Sequence, residues 1–201
     1  ALRMYDINIT EINNTNLNSI NLNEYDVVYS PSQPIDTKKY PNTKFIFGPH
    51  FSVFPEKNQM DTIRGDNLVY IHPSEWAADV WSNNPLCENI KIKPNPFGVN
   101  TDRFCPDTKT EKNKVFIYYK RRTNQELDTL SSFLQKNGYS VKVFDYCERY
   151  SESEYISYLK QAKFGVWLSA HESQGFALEE ALSCNVPLLV WNVTSMSQEC
   201  G

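Results

Sequence analysis

The sequence predicts an α/β protein in which two parallel β-sheets, each in its own lobe, are joined by a connecting segment. Short apolar runs rich in β-branched and aromatic residues recur along its 201 residues, and turn-forming residues close several of them. In the second half these runs alternate with stretches of helical period, which is typical of βαβ units and a parallel sheet. A proline-rich segment separates the two series, so we expect two lobes.

The first half predicts four strands and one longer helix. The strands are expected at residues 26–29, 44–47, 67–71 and 90–92. A helix follows the third strand, because Trp76, Val80 and Trp81 share one helical face. The Asn-rich residues 8–24 predict a surface loop or a weak helix. Since a Rossmann-like domain has about six strands, this lobe, residues 1–93, is expected to be incomplete.

Residues 94–113 predict an interdomain linker, because Pro94, Pro96 and Gly98 interrupt any regular element there and a polar run follows. The remaining residues, 114–201, predict alternating strands and helices. Strands are expected at 115–119, 141–144, 164–168 and 186–190, and helices at 124–136, 151–162 and 173–184. This second lobe is expected to be truncated, because the sequence ends soon after a strand.

The composition excludes several classes of protein. Apolar residues make up 40% of the chain, which is enough for a buried core and unlike a disordered chain. The formal net charge of −4 is unlike the basic charge of a nucleic-acid-binding protein. The apolar run from Val186 to Trp191 is far short of the ~18 residues that a membrane-spanning helix needs. Five cysteines without a CxxC pair favour a reducing, cytoplasmic location.

Several kinds of functional site are also excluded. The sequence has only seven glycines and neither GxGxxG nor GxxxxGK[ST], so a dinucleotide-binding dehydrogenase or a P-loop NTPase is not expected. It has no GxSxG nucleophile elbow. The three histidines, His50, His72 and His171, lack the spacing of zinc ligands, so no metal site is predicted.

The most informative segment runs from Ser169 to Pro187, where a strand passes through a turn into a helix. Ligands of parallel sheets bind beyond the carboxyl ends of the strands. The backbone N–H groups from Gly175 to Ala177 begin the helix and form a ready site for a diphosphate. Glu180 lies about two turns in, where it could accept hydrogen bonds from sugar hydroxyls. The pattern alone favours a plainer alternative, in which Glu172 caps the helix and Glu180 is solvated.

Several segments together resemble one enzyme family. Glu172-x7-Glu180 with the following Val186-Pro187 resembles the E-x7-E signature of retaining GT-B glycosyltransferases of the group 1 (GT4-like) type. Residues 95–106 look like that family's interdomain segment, and residues 70–76 look like the strand-to-helix step before it. Lys120-Arg121-Arg122 stands where the family keeps a basic pair after the first strand of the donor-binding lobe. The resemblance covers roughly residues 67–193.

The resemblance implies a two-lobed, GT-B-like hexosyltransferase. It would move a sugar from a nucleotide-diphosphate sugar to a glycan, lipid or protein acceptor, with retention of configuration and without a metal. The nucleotide sugar would be a co-substrate, and no other cofactor is implied. The donor would lie mainly against residues 114–201 and the acceptor against the N-terminal lobe. Many members of the family also contact membranes through surface patches, so peripheral membrane contact is left open.

The resemblance also assigns roles to residues. Glu172 and His50 would be catalytic and lie beside the transferred sugar, although His50 also fits an ordinary loop histidine. The residues implied in donor binding are Lys120, Arg121, Gly175, Phe176, Ala177 and Glu180. Glu180 would bind the donor ribose, and the others would hold the diphosphate.

The sequence departs from the family pattern at three places. Gln174 replaces an aromatic residue, Asn185 replaces a glycine, and the basic run after the strand at 115–119 lacks the usual spacing. These departures leave the base, the sugar and the phosphate-binding cation open. Two alternatives therefore remain, a GT-B-shaped epimerase or hydrolase of nucleotide sugars and a degenerate GT-B module that binds without catalysis.

Overall fold

A computed structural model of the chain describes residues 7–13, 19–51 and 54–193. The chain divides into two compact units, Ala1–Asn95 and Pro96–Gly201. Within the described residues, each unit contains one four-stranded sheet in which all neighbouring strands are parallel. The predicted α/β class with two parallel sheets is confirmed, and each unit is consistent with a Rossmann-like lobe.

The first unit is built on a sheet with the strand order β1-β2-β3-β4. Its elements are β1 (Val27–Ser30), β2 (Lys44–Phe47), α1 (Lys57–Met60), β3 (Leu68–His72), α2 (Glu75–Ser82) and β4 (Ile92–Pro94). Aromatic side chains dominate the core, where the ring of Tyr70 stacks on Trp81 with centroids 4.9 Å apart. All four strands lie within two residues of their predicted positions.

The residues before β1 are only partly described. Leu22–Glu24 form a short 3₁₀ helix, and the buried Leu22 packs into the core of the unit. The Leu22 carbonyl accepts a 2.9 Å hydrogen bond from the Thr43 hydroxyl. The predicted loop or weak helix over 8–24 therefore carries a core residue at its end, and residues 14–18 lie outside the described part.

The second unit has the strand order β6-β5-β7-β8. Its elements are β5 (Lys114–Lys120), α3 (Asn124–Lys136), β6 (Val141–Asp145), α4 (Glu152–Leu159), β7 (Ala162–Ser169), α5 (Phe176–Ser183) and β8 (Leu188–Val190). The inner strands β5 and β7 contribute the buried Phe116 and Trp167 to the main core. Leu134 of α3 packs with Val115 and Ile117 in a second core cluster.

The local sequence pattern predicts both ends of α3 correctly but not the end of α4. A capping box between Thr123 and Glu126 starts α3, which occupies the predicted residues 124–136. The helix predicted over 151–162 ends at Leu159 instead, and Ala162 begins β7 by pairing with Lys114. Apolar periodicity cannot separate a last helical turn from the first residue of a buried strand, because both place an apolar side chain in the core.

The predicted linker, residues 94–113, starts at the division between the two units. Asn95 donates its N–H to the carbonyl of His72 at 2.7 Å and closes the first unit. Phe104 is buried in the core of the second unit, and its carbonyl accepts a 2.5 Å hydrogen bond from the Ser183 hydroxyl. The residues from 96 onward belong to the second unit.

No helix among the described residues is long and apolar enough to cross a membrane. The cysteines in these segments are free thiols, namely Cys87, Cys105, Cys147 and Cys184.

Candidate functional site at the carboxyl edge of the second sheet

The strands of the second sheet end at one edge because they are parallel. Lys120 is the last residue of β5 and lies in register with Ser169, the last residue of β7. Tyr146 follows β6 directly, and its N–H donates to the Tyr119 carbonyl at 3.0 Å. The loop from β7 to α5 then carries Glu172 across the same edge. Side chains that are far apart in sequence therefore meet here.

Lys120 and Glu172 form the centre of this site. The Lys120 Nζ lies 2.8 Å from Glu172 Oε2, and the two side chains are only 13% and 18% exposed. The Ser169 hydroxyl donates a 3.0 Å hydrogen bond to Glu172 Oε1. The ring of Tyr146 lies 4.5 Å from the Lys120 ammonium, in a cation–π contact. Both charges are thus largely removed from water and held by defined partners.

The start of α5 lies directly beside Glu172. Gly175 is the N-cap residue and provides no side-chain cap for the first turn. A Cβ atom on Gly175 would lie 3.6 Å from the Glu172 Cγ, so the stem of Glu172 lies against the helix start. Phe176 is the first helical residue and is 48% exposed, whereas Ala177 is buried. This arrangement offers first-turn N–H groups, which favour an anion, next to the Lys120 cation.

Glu180 lies in a different environment from Glu172. It is half-buried, and burial raises the pKa of its carboxyl from 4.5 to about 6. The negative charge of Glu152 raises this pKa further, while the Arg103 guanidinium lowers it. Arg103 Nη1 itself lies 2.9 Å from Glu152 Oε2. The carboxylate of Glu180 is therefore an acceptor whose protonation changes just below neutral pH.

Two phenols respond to the charges of these glutamates. The rings of Tyr118 and Tyr150 lie edge to face with centroids 6.2 Å apart, and burial raises the pKa of both phenols. The charge of Glu172 contributes to the rise for Tyr118, and the charge of Glu180 contributes to the rise for Tyr150. Both tyrosines are consequently neutral hydrogen-bonding groups at physiological pH.

The other predicted site residues are placed as follows. Arg121 is exposed and adopts a backbone φ of +56°. Its neighbour Arg122 donates from Nε to the Ser169 carbonyl at 3.3 Å. His50 belongs to the first unit, where its backbone N–H donates to the Tyr70 hydroxyl at 3.3 Å. Burial lowers the pKa of the His50 imidazole, and the backbone carbonyls of Pro31 and Ser30 partly oppose this shift.

Sequence reasoning missed several residues of the site. Ser169 donates to Glu172, Tyr146 contacts Lys120, and Arg103 lowers the pKa of Glu180, but the sequence predicts no role in the site for any of these three side chains. Two of them carry a usable signal, since Ser169 ends a parallel strand and Tyr146 follows one, and ligand sites lie at such positions. Arg103 has no comparable signal, because it stands in the segment predicted as a linker.

No group of three or more His, Cys, Asp or Glu side chains in residues 7–13, 19–51 and 54–193 could hold a metal ion. Compared with known proteins, the chain matches no family model and no curated protein. The site at the carboxyl edge of the second sheet combines a cation, uncapped helix N–H groups and two carboxylates, a set that can bind a polyanion and accept hydrogen bonds from hydroxyl groups.

Proposed function

We propose that the chain is a glycosyltransferase of the retaining GT-B, group 1 type, which transfers a sugar from a nucleotide-diphosphate sugar to an acceptor. The observation that supports it most is the Lys120–Glu172 pair at the start of α5. A diphosphate needs cations and N–H donors, and a transferred sugar needs a carboxylate close to them. In this proposal the end of β5 supplies the cation, and the loop before α5 and the helix start supply the carboxylate and the N–H donors.

In this proposal Lys120 and the backbone N–H groups of Phe176 and Ala177 hold the diphosphate. The negative charge of the departing nucleotide diphosphate grows as the glycosidic bond breaks. Fixed positive charge at that position therefore stabilises the transition state more than the ground state. When Lys120 turns to the diphosphate, Glu172 keeps its hydrogen bond from the Ser169 hydroxyl, and its carboxylate acts on the sugar.

Glu180 binds the donor ribose in this proposal. Because its pKa is about 6, the carboxyl is mostly ionised at neutral pH and can accept hydrogen bonds from both ribose hydroxyls. His50 acts on the acceptor side, and Arg121 is available as a second, exposed cation. No metal takes part in the proposed reaction, since lysine and helix N–H groups take its role at the diphosphate.

A binding module without catalysis is the second candidate. The presence of Gln174 favours the non-catalytic module, because the family has an aromatic side chain at this position. Such a module would bind the nucleotide sugar without consuming it. Release of free sugar without an acceptor would instead indicate a hydrolase of nucleotide sugars.

The test is thermal unfolding of the chain with UDP, GDP, ADP and their sugar conjugates. A ligand present at about 100 times its dissociation constant adds about 2.7 kcal/mol to the unfolding free energy. We expect one base to stabilise the wild type and the effect to vanish in Glu180→Ala. Glu111→Ala, which removes an exposed carboxylate, is the matched control and should respond like the wild type. If no nucleotide stabilises the wild type, the proposed donor site is wrong.

A further inference from the structure

Gln174 makes a set of contacts that no other side chain around α5 reproduces among the described residues. Its Oε1 accepts from the Phe97 N–H at 2.9 Å, and its Nε2 donates to the Phe97 carbonyl at 2.7 Å. The same Nε2 donates to both carboxylate oxygens of Glu179, at 3.0 and 2.8 Å. The side-chain amide therefore links a backbone segment to a carboxylate.

Glu179 is the reason why this link matters. It is the acidic residue in the first turn of α5, and Gly175 offers the first-turn N–H groups no side-chain cap. A carboxylate in the first turn is attracted to those N–H groups by the helix dipole. Without a restraint, Glu179 would compete with any anion that binds there.

The Phe97 backbone provides the fixed end of the restraint. Two hydrogen bonds to one residue hold the Gln174 amide in a single orientation, with its NH₂ group toward Glu179. The Phe97 ring also stacks on Phe176, with centroids 5.5 Å apart and planes inclined by 21°. Phe97 therefore contacts both Gln174 and the first residue of α5.

We propose that Gln174 is a positioning residue for the diphosphate site, which restrains the Glu179 carboxylate so that the first-turn N–H groups of α5 remain available to the ligand. This inference rests on the proposed function, because it assumes that a diphosphate binds at that helix start. It gives the departure from the family pattern at position 174 a specific role.

The test measures the binding of inorganic pyrophosphate and UDP by calorimetry, with GDP and ADP if UDP does not bind. Gln174→Ala should weaken binding about tenfold, as expected for a carboxylate released toward a helix N-terminus. Gln174→Glu should weaken it more, since it places a second negative charge beside Glu179. In a Glu179→Ala background, Gln174→Ala should change the affinity little, because the competing carboxylate is gone.

Several outcomes would overturn the inference. Wild-type affinity in Gln174→Ala would do so, and so would an equal loss in the Glu179→Ala background. Hydrogen exchange at the Phe97 amide gives a readout without ligand, and it should speed up in Gln174→Ala but not in the control Gln135→Ala, an exposed glutamine of α3. If Gln174→Ala does not fold, Gln174→Met keeps the side-chain length and removes the same hydrogen bonds. If the wild type binds no diphosphate, the proposed function fails as well, whereas unchanged binding in the variants defeats only this inference.

Discussion

The ammonium of Lys120 contacts the carboxylate of Glu172 at 2.8 Å across 52 positions of sequence. The contact arises because β5 and β7 are adjacent and in register, so that Lys120 ends its strand beside Ser169. Glu172 follows three residues later in the turn before α5. The two charges are largely buried, and each is therefore costly to leave without the other.

Removing one member of this pair should destabilise the fold measurably. Lys120→Met leaves the Glu172 carboxylate without its cation, and Glu172→Gln leaves the ammonium without its anion. A double-mutant cycle of these changes, measured by urea unfolding, should give a coupling energy of about 1–3 kcal/mol.

The chain offers a matched control for this cycle. Lys142 and Glu154 also lie 2.8 Å apart, but their side chains are 42% and 47% exposed. Lys142→Met with Glu154→Gln should couple by only about 0.2–1 kcal/mol, since solvent screens an exposed pair. Equal coupling in the two cycles would show that burial does not strengthen the Lys120–Glu172 contact.

The carboxyl of Glu180 should make stability fall as the pH rises from 4.5 to 7. Its pKa is raised from 4.5 to about 6 in the folded protein, so the folded state holds the proton more tightly than the unfolded state. Between these values the folded state binds more protons, and its stability declines with rising pH. Because Glu180 is only half-buried, we expect its contribution to the unfolding free energy to change by about 1 kcal/mol between these pH values. Glu180→Gln should abolish this contribution in urea unfolding at pH 4.5 and 7.

Glu126 provides a control of opposite sign for that measurement. A hydrogen bond from the Thr123 backbone N–H lowers the pKa of the Glu126 carboxyl. The stability that the ionised carboxylate contributes is therefore lost as the pH falls. Glu126→Gln should therefore cost more stability at pH 7 than at pH 4.5. A Glu180→Gln variant with the same sign as Glu126→Gln would contradict the raised pKa of Glu180.

His72 should make the first unit sensitive to acid. Burial lowers the pKa of its imidazole from 6.5 to about 4, so the unfolded chain takes up the proton first as the pH falls. The stability that depends on a neutral His72 is fully present above pH 6.5 and is lost progressively as the pH falls toward 4. The ring packs against Tyr70 and Trp81 with centroids 5.1 and 4.6 Å away, and His72→Phe keeps this packing. The variant should be about 2 kcal/mol less sensitive to a change from pH 7 to pH 4.5. An unchanged sensitivity would mean that the folded state tolerates the charged imidazole.

Gly165 should not accept a side chain. A Cβ atom there would collide with the ring of Phe116, which is fully buried in the core of the second unit. Gly165→Ala should therefore cost about 1–3 kcal/mol in urea unfolding. Gly98→Ala, where a Cβ atom would meet nothing within 4 Å, should be nearly neutral. Phe116→Leu combined with Gly165→Ala should recover part of the loss if the collision is the cause.

Much of the fold follows from local pattern. The strand at 44–47 and the helix at 124–136 lie where the sequence predicts them, because turn formers and a capping box mark their ends. Ala162 shows the limit of local pattern, since its spacing predicts a helical position and the structure places it at the start of β7. Its apolar side chain suits either element, and only pairing with a neighbouring strand distinguishes them.

The sequence by itself determined the two-sheet α/β architecture and the identity of the residues at the strand-to-helix turns. Those properties depend on neighbours along the chain, such as apolar runs, turn formers and helix caps. Only the tertiary structure decided that Lys120 meets Glu172, that Tyr146 lies beside Lys120, and that Gln174 joins Phe97 to Glu179. Those contacts depend on strand order and register, and the order β6-β5-β7-β8 arises from packing between elements that the local pattern does not encode.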